Sequence, residues 1–98
     1  MKFTVILAPE GDGRYSVTCP AVPGAVSQGE SLEAALNNIR EAVLGCLEAN
    51  REHGLAESEE TPAIIAREIE ERLNDRAEEG LALTIETREI EIEAEVAV

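Results

Sequence analysis

Apolar and polar positions near the start of the chain follow a period of two. Lys2 to Ala8 is rich in apolar and β-branched residues and predicts a first strand. Pro9-Glu10-Gly11-Asp12-Gly13 then supplies a turn; Asp12-Gly13 suits a hairpin because glycine tolerates positive φ and aspartate tolerates it better than most residues. From Arg14 to Cys19 the alternation is clean, with Tyr15, Val17 and Cys19 on one face and Arg14, Ser16 and Thr18 on the other. Pro20 and Pro23-Gly24 break the pattern with a short, stiff loop, and Ala25 to Gln28 reads as a brief third strand. Three antiparallel strands in succession make a meander.

The period then changes. Leu32, Leu36, Ile39, Val43 and Leu47 recur at steps of three or four, the spacing of one buried helical face, with Ala35 and Cys46 flanking that stripe. Ser31 is a suitable N-cap, Glu33 complements the helix dipole in the first turn, and Gly54 is placed to end the helix. Gly45 inside this helix costs about 1 kcal/mol against alanine, and close packing on the sheet would explain it. A polar connector leads to Thr61-Pro62, an N-cap followed by proline at the first helical position. Ile65, Ile69 and Leu73 mark the stripe of this second helix, with Ala66 and Ala77 beside it, and Gly80 ends it. Glu68 and Arg72 stand at the i,i+4 spacing of a favourable ion pair.

The tail returns to period two. Ile90, Ile92, Ala94, Val96 and Val98 face one way and Glu89, Glu91, Glu93 and Glu95 the other. One face of this terminal strand is therefore buried, and the glutamate row meets either water or a basic partner surface. The sum is an α+β chain in one domain over residues 1–98: meander and first helix in 1–54, an additional helix in 61–80 and a terminal strand in 84–98. The second helix has too narrow a stripe for a monomer's core alone, and exposed edge strands invite pairing, so a homodimer or higher oligomer is expected.

Composition narrows the function. Only Phe3 and Tyr15 are aromatic among 98 residues, so the core is aliphatic and stacking surfaces for nucleic-acid bases are scarce. The net charge is −13 and unevenly spread: residues 1–47 hold five acids against three bases, residues 48–98 sixteen acids against five. Such a chain repels DNA, RNA and anionic membranes, which need lysine or arginine, and it attracts basic proteins. The same charge also serves simple solubility. The opening stretch is too short for a secretion signal, and no apolar run approaches a bilayer's width. Cys19 and Cys46, without a CxxC spacing, read as reduced thiols of a cytoplasmic protein.

Catalytic chemistry finds little to use. His53, the only histidine, sits at the end of the first helix and has no second imidazole to share a metal. Gly11-Asp12-Gly13 is followed by no helix that could receive a pyrophosphate, and no lysine-bearing phosphate loop exists. Glu10 and Asp12 lie in a turn, and the acids of Glu89 to Glu95 form a regular row that spreads charge instead of focusing it on two metal ions. The residues thus point to a non-enzymatic chain without catalytic residues, cofactor or metal.

One set of motifs is more specific. Gly11-Asp12-Gly13-Arg14-Tyr15, Pro20-Ala21-Val22-Pro23-Gly24, Ser27-Gln28-Gly29-Glu30-Ser31-Leu32-Glu33-Ala34-Ala35 and Asn38-Ile39-Arg40-Glu41-Ala42 occur in this order. Together with the terminal Glu-Ile-Glu-Ile strand, they resemble the HicB antitoxin family. The resemblance implies a truncated ribonuclease H-like fold that lacks the nuclease's catalytic acids. It also implies neutralisation of a small basic toxin that cleaves mRNA, with Glu89, Glu91, Glu93 and Glu95 as the contacts to the toxin that the charge pattern offers. Many family members carry a C-terminal DNA-binding domain that represses their operon. Here Ala25 stands where the family often has cysteine, an extra helix is expected near residues 62–79, and, read to Val98, the chain is expected to hold no such domain. The alternative function is a toxin-less homo-oligomeric accessory or scaffold protein.

Overall fold

A computed structural model describes residues 1–55 and 59–93. The elements follow in the order β1 (Lys2–Pro9), β2 (Tyr15–Thr18), β3 (Val26–Gly29), α1 (Leu32–Glu52), α2 (Pro62–Glu78) and β4 (Glu86–Glu91). The four strands form one antiparallel sheet in the order β3-β2-β1-β4. The meander expected from the alternation is present, and the returning strand adds to β1, opposite Lys2 through Leu7. The α+β expectation therefore holds, with β1 in the interior of the sheet.

The hairpin between β1 and β2 turns on Gly11, Asp12 and Gly13, all three at positive φ. The Arg14 N–H donates to the Gly11 carbonyl at 3.0 Å, and the Glu10 N–H donates to that of Arg14 at 2.9 Å. The loop from Pro20 to Gly24 folds inward. The Val22 N–H donates to Cys19 O and the Ala25 N–H to Val22 O, both at 3.0 Å, while Ala21 and Val22 are buried. These turns close the backbone on itself, so apolar side chains enter the core without orphaned peptide groups.

Both helices start and stop as their end residues dictate. Ser31 Oγ accepts from the Ala34 N–H at 3.1 Å, and Thr61 Oγ1 from the Ile64 N–H at 3.2 Å. Each C-terminus closes through a glycine at positive φ. For α1, Leu55 N–H donates to Asn50 O at 2.8 Å past Gly54; for α2, Leu81 N–H donates to Arg76 O at 2.8 Å past Gly80.

The core lies between α1 and one face of the sheet. Phe3, Val5 and Leu7 of β1, Val17 of β2 and Ile90 of β4 meet Ala35, Ile39 and Val43, with Cys19, Ala21, Val22, Ala25 and Ile92 filling its margins. The buried stripe of α1 runs through Ala35, Ile39 and Val43; Leu32, Leu36 and Leu47 are only half-buried against it. Ala35 is thus at the centre of the contact instead of its flank, in the turn of the helix that lies against Gly29. Thr4, Ile6 and Ala8 point to the other face of β1, and Ile6 is only 2% exposed. The second face of this strand is therefore covered as well.

Gly45 departs from expectation. It is exposed, and a Cβ there would meet nothing within 4 Å. The close approach occurs instead at Gly29, where a Cβ would fall 2.3 Å from the Ala35 nitrogen and 2.7 Å from Ala34 C. The second helix also differs in detail. Ile64, Ile65, Ile69 and Leu73 are half-buried, Ala66 and Ala77 are exposed, and the one buried residue is Arg76, 7% exposed, whose Nε donates to Ala82 O. Arg72 pairs with Glu68 at 3.4 Å, as the spacing predicts, and also with Asp75 at 3.1 Å.

The two glycines make opposite predictions. Gly29→Ala forces backbone against backbone and should lower unfolding free energy by about 3 kcal/mol or more. Gly45→Ala removes only conformational entropy from the unfolded chain and should raise it by about 0.5–1 kcal/mol. Urea unfolding of the two variants checks both signs.

Candidate functional site

The acidic row is laid on an edge. β4 pairs with β1 on one side only, and among the described residues no strand lies on its other side. Ile90 and Ile92 fill the core from this strand, which by alternation turns Glu89 and Glu91 to the opposite face. Both carboxylates are well exposed, 64% for Glu89 and 58% for Glu91. Lys2 Nζ lies 3.8 Å from Glu89, and the Met1 amine 3.7 Å from Glu91. Ion pairs this exposed contribute about 0–1 kcal/mol, so they leave the row available to a stronger partner. Glu93 is exposed just beyond the strand. Glu95 and the apolar positions Ala94, Val96 and Val98 lie outside the described residues; regular pairing begins at Glu86 and ends at Glu91.

The fold adds one acid that the pattern did not single out. β2 leaves β1 after Thr18, so the Thr4 N–H has no partner strand beside it. Glu60, in the connector before α2, accepts from this N–H at 2.5 Å and from Thr4 Oγ1 at 3.0 Å. Thr4 stands opposite Glu89 in the register. Glu60, Glu89 and Glu91 thus gather around the second face of β1 and β4, although nearly thirty residues separate the first from the others.

The motif residues gather elsewhere. Glu10, Arg14, Tyr15, Ser16, Gln28 and Glu30 line an open cleft of about 650 Å³ with Gly29, Ala34 and Asn38. Ser16 Oγ donates to Glu10 at 2.7 Å, and Asn38 Nδ2 donates to Gln28 O at 2.7 Å. Several motif positions have a folding role: Gly11 and Gly13 shape the hairpin, Gly29 admits the helix, Ser31 caps it and Asn38 ties it to β3. Arg14 and Glu30 remain exposed at the cleft. The alternation of β2 hid this grouping, since hairpin and helix start come together only when the sheet folds.

No group of three or more histidine, cysteine, aspartate or glutamate side chains is placed to hold a metal ion among the described residues. Nor is any described helix long and apolar enough to cross a membrane. Both cysteines are free thiols. Burial pushes the Cys19 thiol up to about 11, a rise to which nearby Glu60 adds. A buried, protonated thiol is a poor nucleophile.

Comparison with known proteins converges on one family. Residues 3–85 match the family described as HicB_like antitoxin of bacterial toxin-antitoxin system. The UPF0150 protein Ta0767 of Thermoplasma acidophilum is 41% identical over 69 residues, covering 70% of this chain and 94% of its own. The crystal structure of the N-terminal domain of the Burkholderia pseudomallei antitoxin HicB has the same fold, with a TM-score of 0.65 and 24% identity over 96% of this chain and all of that one. A chain of the HicA3 and HicB3 toxin-antitoxin complex matches with a TM-score of 0.64 and 20% identity, over 96% of this chain and all of that one.

The raised Cys19 pKa sets the thiol chemistry. At pH 8 about one part in a thousand of this thiol is ionised, and it is buried besides. An aromatic disulfide reagent should therefore modify the half-buried Cys46 promptly and Cys19 only on denaturation. Deprotonation favours the unfolded chain between the ordinary thiol value of 9.0 and the folded value of about 11. The unfolded state binds fewer protons there, so stability should fall across that window.

Proposed function

The chain belongs to the HicB-like antitoxin family, and from that premise we propose that it binds and neutralises a small basic, mRNA-cleaving toxin by protein–protein contact, with no catalysis of its own. The observation that carries this reading is the exposed acidic row of β4, supported by Glu60 on the same face. A ribonuclease must present basic residues to an RNA backbone. An acidic protein surface competes for those residues through the same field and blocks the RNA path once docked. The likeness to a chain of the HicA3 and HicB3 complex supports a toxin as the partner class. The toxin-contacting residues of this proposal are Glu89, Glu91, Glu93 and Glu95, acting in the cytoplasm, where mRNA is translated.

A second reading rests on the opposite edge. β3 (Val26–Gly29) carries no charge, and its Val26 is 63% exposed. An uncharged edge with an exposed valine favours pairing with a second copy, giving a homodimer or higher oligomer that serves as an accessory or scaffold protein without a toxin.

Purification of the tagged chain from its native cells at low salt, with mass spectrometry of what accompanies it, separates the two. A stoichiometric basic protein of under about 100 residues supports the antitoxin reading, provided that it cleaves RNA alone and not in the presence of this chain. Recovery of the chain alone as an oligomer supports the scaffold. With the toxin in hand, Glu89→Lys combined with Glu91→Lys should slow association at least about tenfold at low salt and less at high salt. Unchanged stopped-flow association would make the row a solvated face.

A further inference from the structure

The phase of the β1–β4 ladder decides which backbone groups of β4 are left over. The Ile92 N–H donates to Met1 O at 2.7 Å, and the Met1 amine donates to Ile92 O at 2.9 Å. Met1 and Ile92 are therefore a hydrogen-bonded pair. Hydrogen-bonded and non-bonded pairs alternate along an antiparallel ladder. The bonded pairs that follow in the register are Phe3 with Ile90, Val5 with Arg88 and Leu7 with Glu86. Thr87, Glu89 and Glu91 consequently direct their N–H and C=O groups away from β1. The unmatched Thr4 N–H that Glu60 accepts fits this phase, because Thr4, opposite Glu89, turns its own groups toward β2.

Two properties thus coincide on the same residues. Among the described residues, Glu89 and Glu91 offer peptide groups without a strand partner at the sheet edge and carboxylates on one face beside it. A further strand laid on this edge would place every second side chain within about 4.5–5.5 Å, Cβ to Cβ, of a glutamate. A second copy of β4 would place glutamates there and be repelled. A strand with lysine or arginine at alternate positions would be attracted. Leu83, 63% exposed and just before the strand, adds an apolar anchor.

We infer that β4 receives its basic partner by strand addition: an extended segment with alternating lysine or arginine extends the sheet, bonded to the peptide groups of Thr87, Glu89 and Glu91. This deepens the antitoxin reading by giving the docking mode, and it rests on that reading only for the partner's identity. The proposal separates affinity from specificity. Backbone bonds hold the segment, and the glutamate pair selects its alternation.

The test uses the full chain, labelled with nitrogen-15, and two capped peptides of one composition: Lys-Val-Lys-Val-Lys-Val-Lys and Lys-Lys-Lys-Lys-Val-Val-Val. The alternating peptide should shift the amide signals of Thr87, Glu89 and Glu91 and slow their hydrogen exchange at least about tenfold at saturation. The block peptide should not. Thr87→Pro removes an outward N–H without changing charge and, as an edge proline, leaves the bonds to β1 intact. It should keep Tm within about 5 °C of the parent and weaken the alternating peptide about tenfold. Equal effects of the two peptides, protection centred on the Arg14–Glu30 cleft, or unchanged affinity in Thr87→Pro would overturn the proposal. Amide mapping on the unaltered chain decides the matter even if the variant fails to fold. Edge binding of the peptide with no toxin in the cells would sink the antitoxin reading and leave the docking mode standing; a captured toxin that leaves these amides unprotected would do the reverse.

Discussion

The architecture depends on one contact between backbones. At Gly29 the end of β3 runs against the first turn of α1 so closely that no side chain fits between them. This approach seats the start of the helix against the sheet. Ser31 caps it immediately, Ala35 lies fully buried at the point of contact, and Ile39 and Val43 follow one turn and two turns later onto β1 and β2. A larger residue at Gly29 or Ala35 would lift the helix and open the core along its length. The hydrogen bond from Asn38 to Gln28 holds the same junction from the solvent side. The Gly29-Glu30-Ser31 segment is thus a joint, and its sequence reads as the specification for that joint.

Charge is arranged by the topology that the joint permits. The first half of the chain builds three strands and the helix with little net charge, and the second half brings most of the acid. Adding β4 to β1 instead of to β3 places Glu89 and Glu91 on the edge farthest from the motif cleft. The sheet therefore has two unlike edges, one neutral and short, one acidic. The acidic edge escapes pairing with its own kind by repulsion, which the neutral edge lacks.

The second helix belongs to a different level of the structure. None of its residues joins the core that α1 builds with the sheet. It is held at its ends instead: Glu60 binds the Thr4 N–H before it, and Arg76 binds the Ala82 carbonyl after it. Its role in the described fold is to carry the chain from the end of α1 to the start of β4. Its half-buried Ile65, Ile69 and Leu73 follow from the narrow stripe that the sequence displays.

The sequence alone determined the elements. Period-two alternation, the Asp12-Gly13 turn, Ser31 and Thr61 as caps, and Gly54 and Gly80 as stops each act within a few residues, so local chemistry is enough to read them. The family was legible too, because its motifs encode that local chemistry in a fixed order. What acts across the chain was decided only by the tertiary structure. Gly45 and Gly29 look alike as letters, yet only Gly29 faces another backbone. Arg76 looks like a surface residue of an amphipathic helix, yet it is buried because a carbonyl six residues on meets its guanidinium. The glutamates of β4 were visible as a row. Their meeting with Glu60, and the outward direction of their peptide groups, required the pairing of β4 with β1, since ladder phase depends on a partner strand more than eighty residues away.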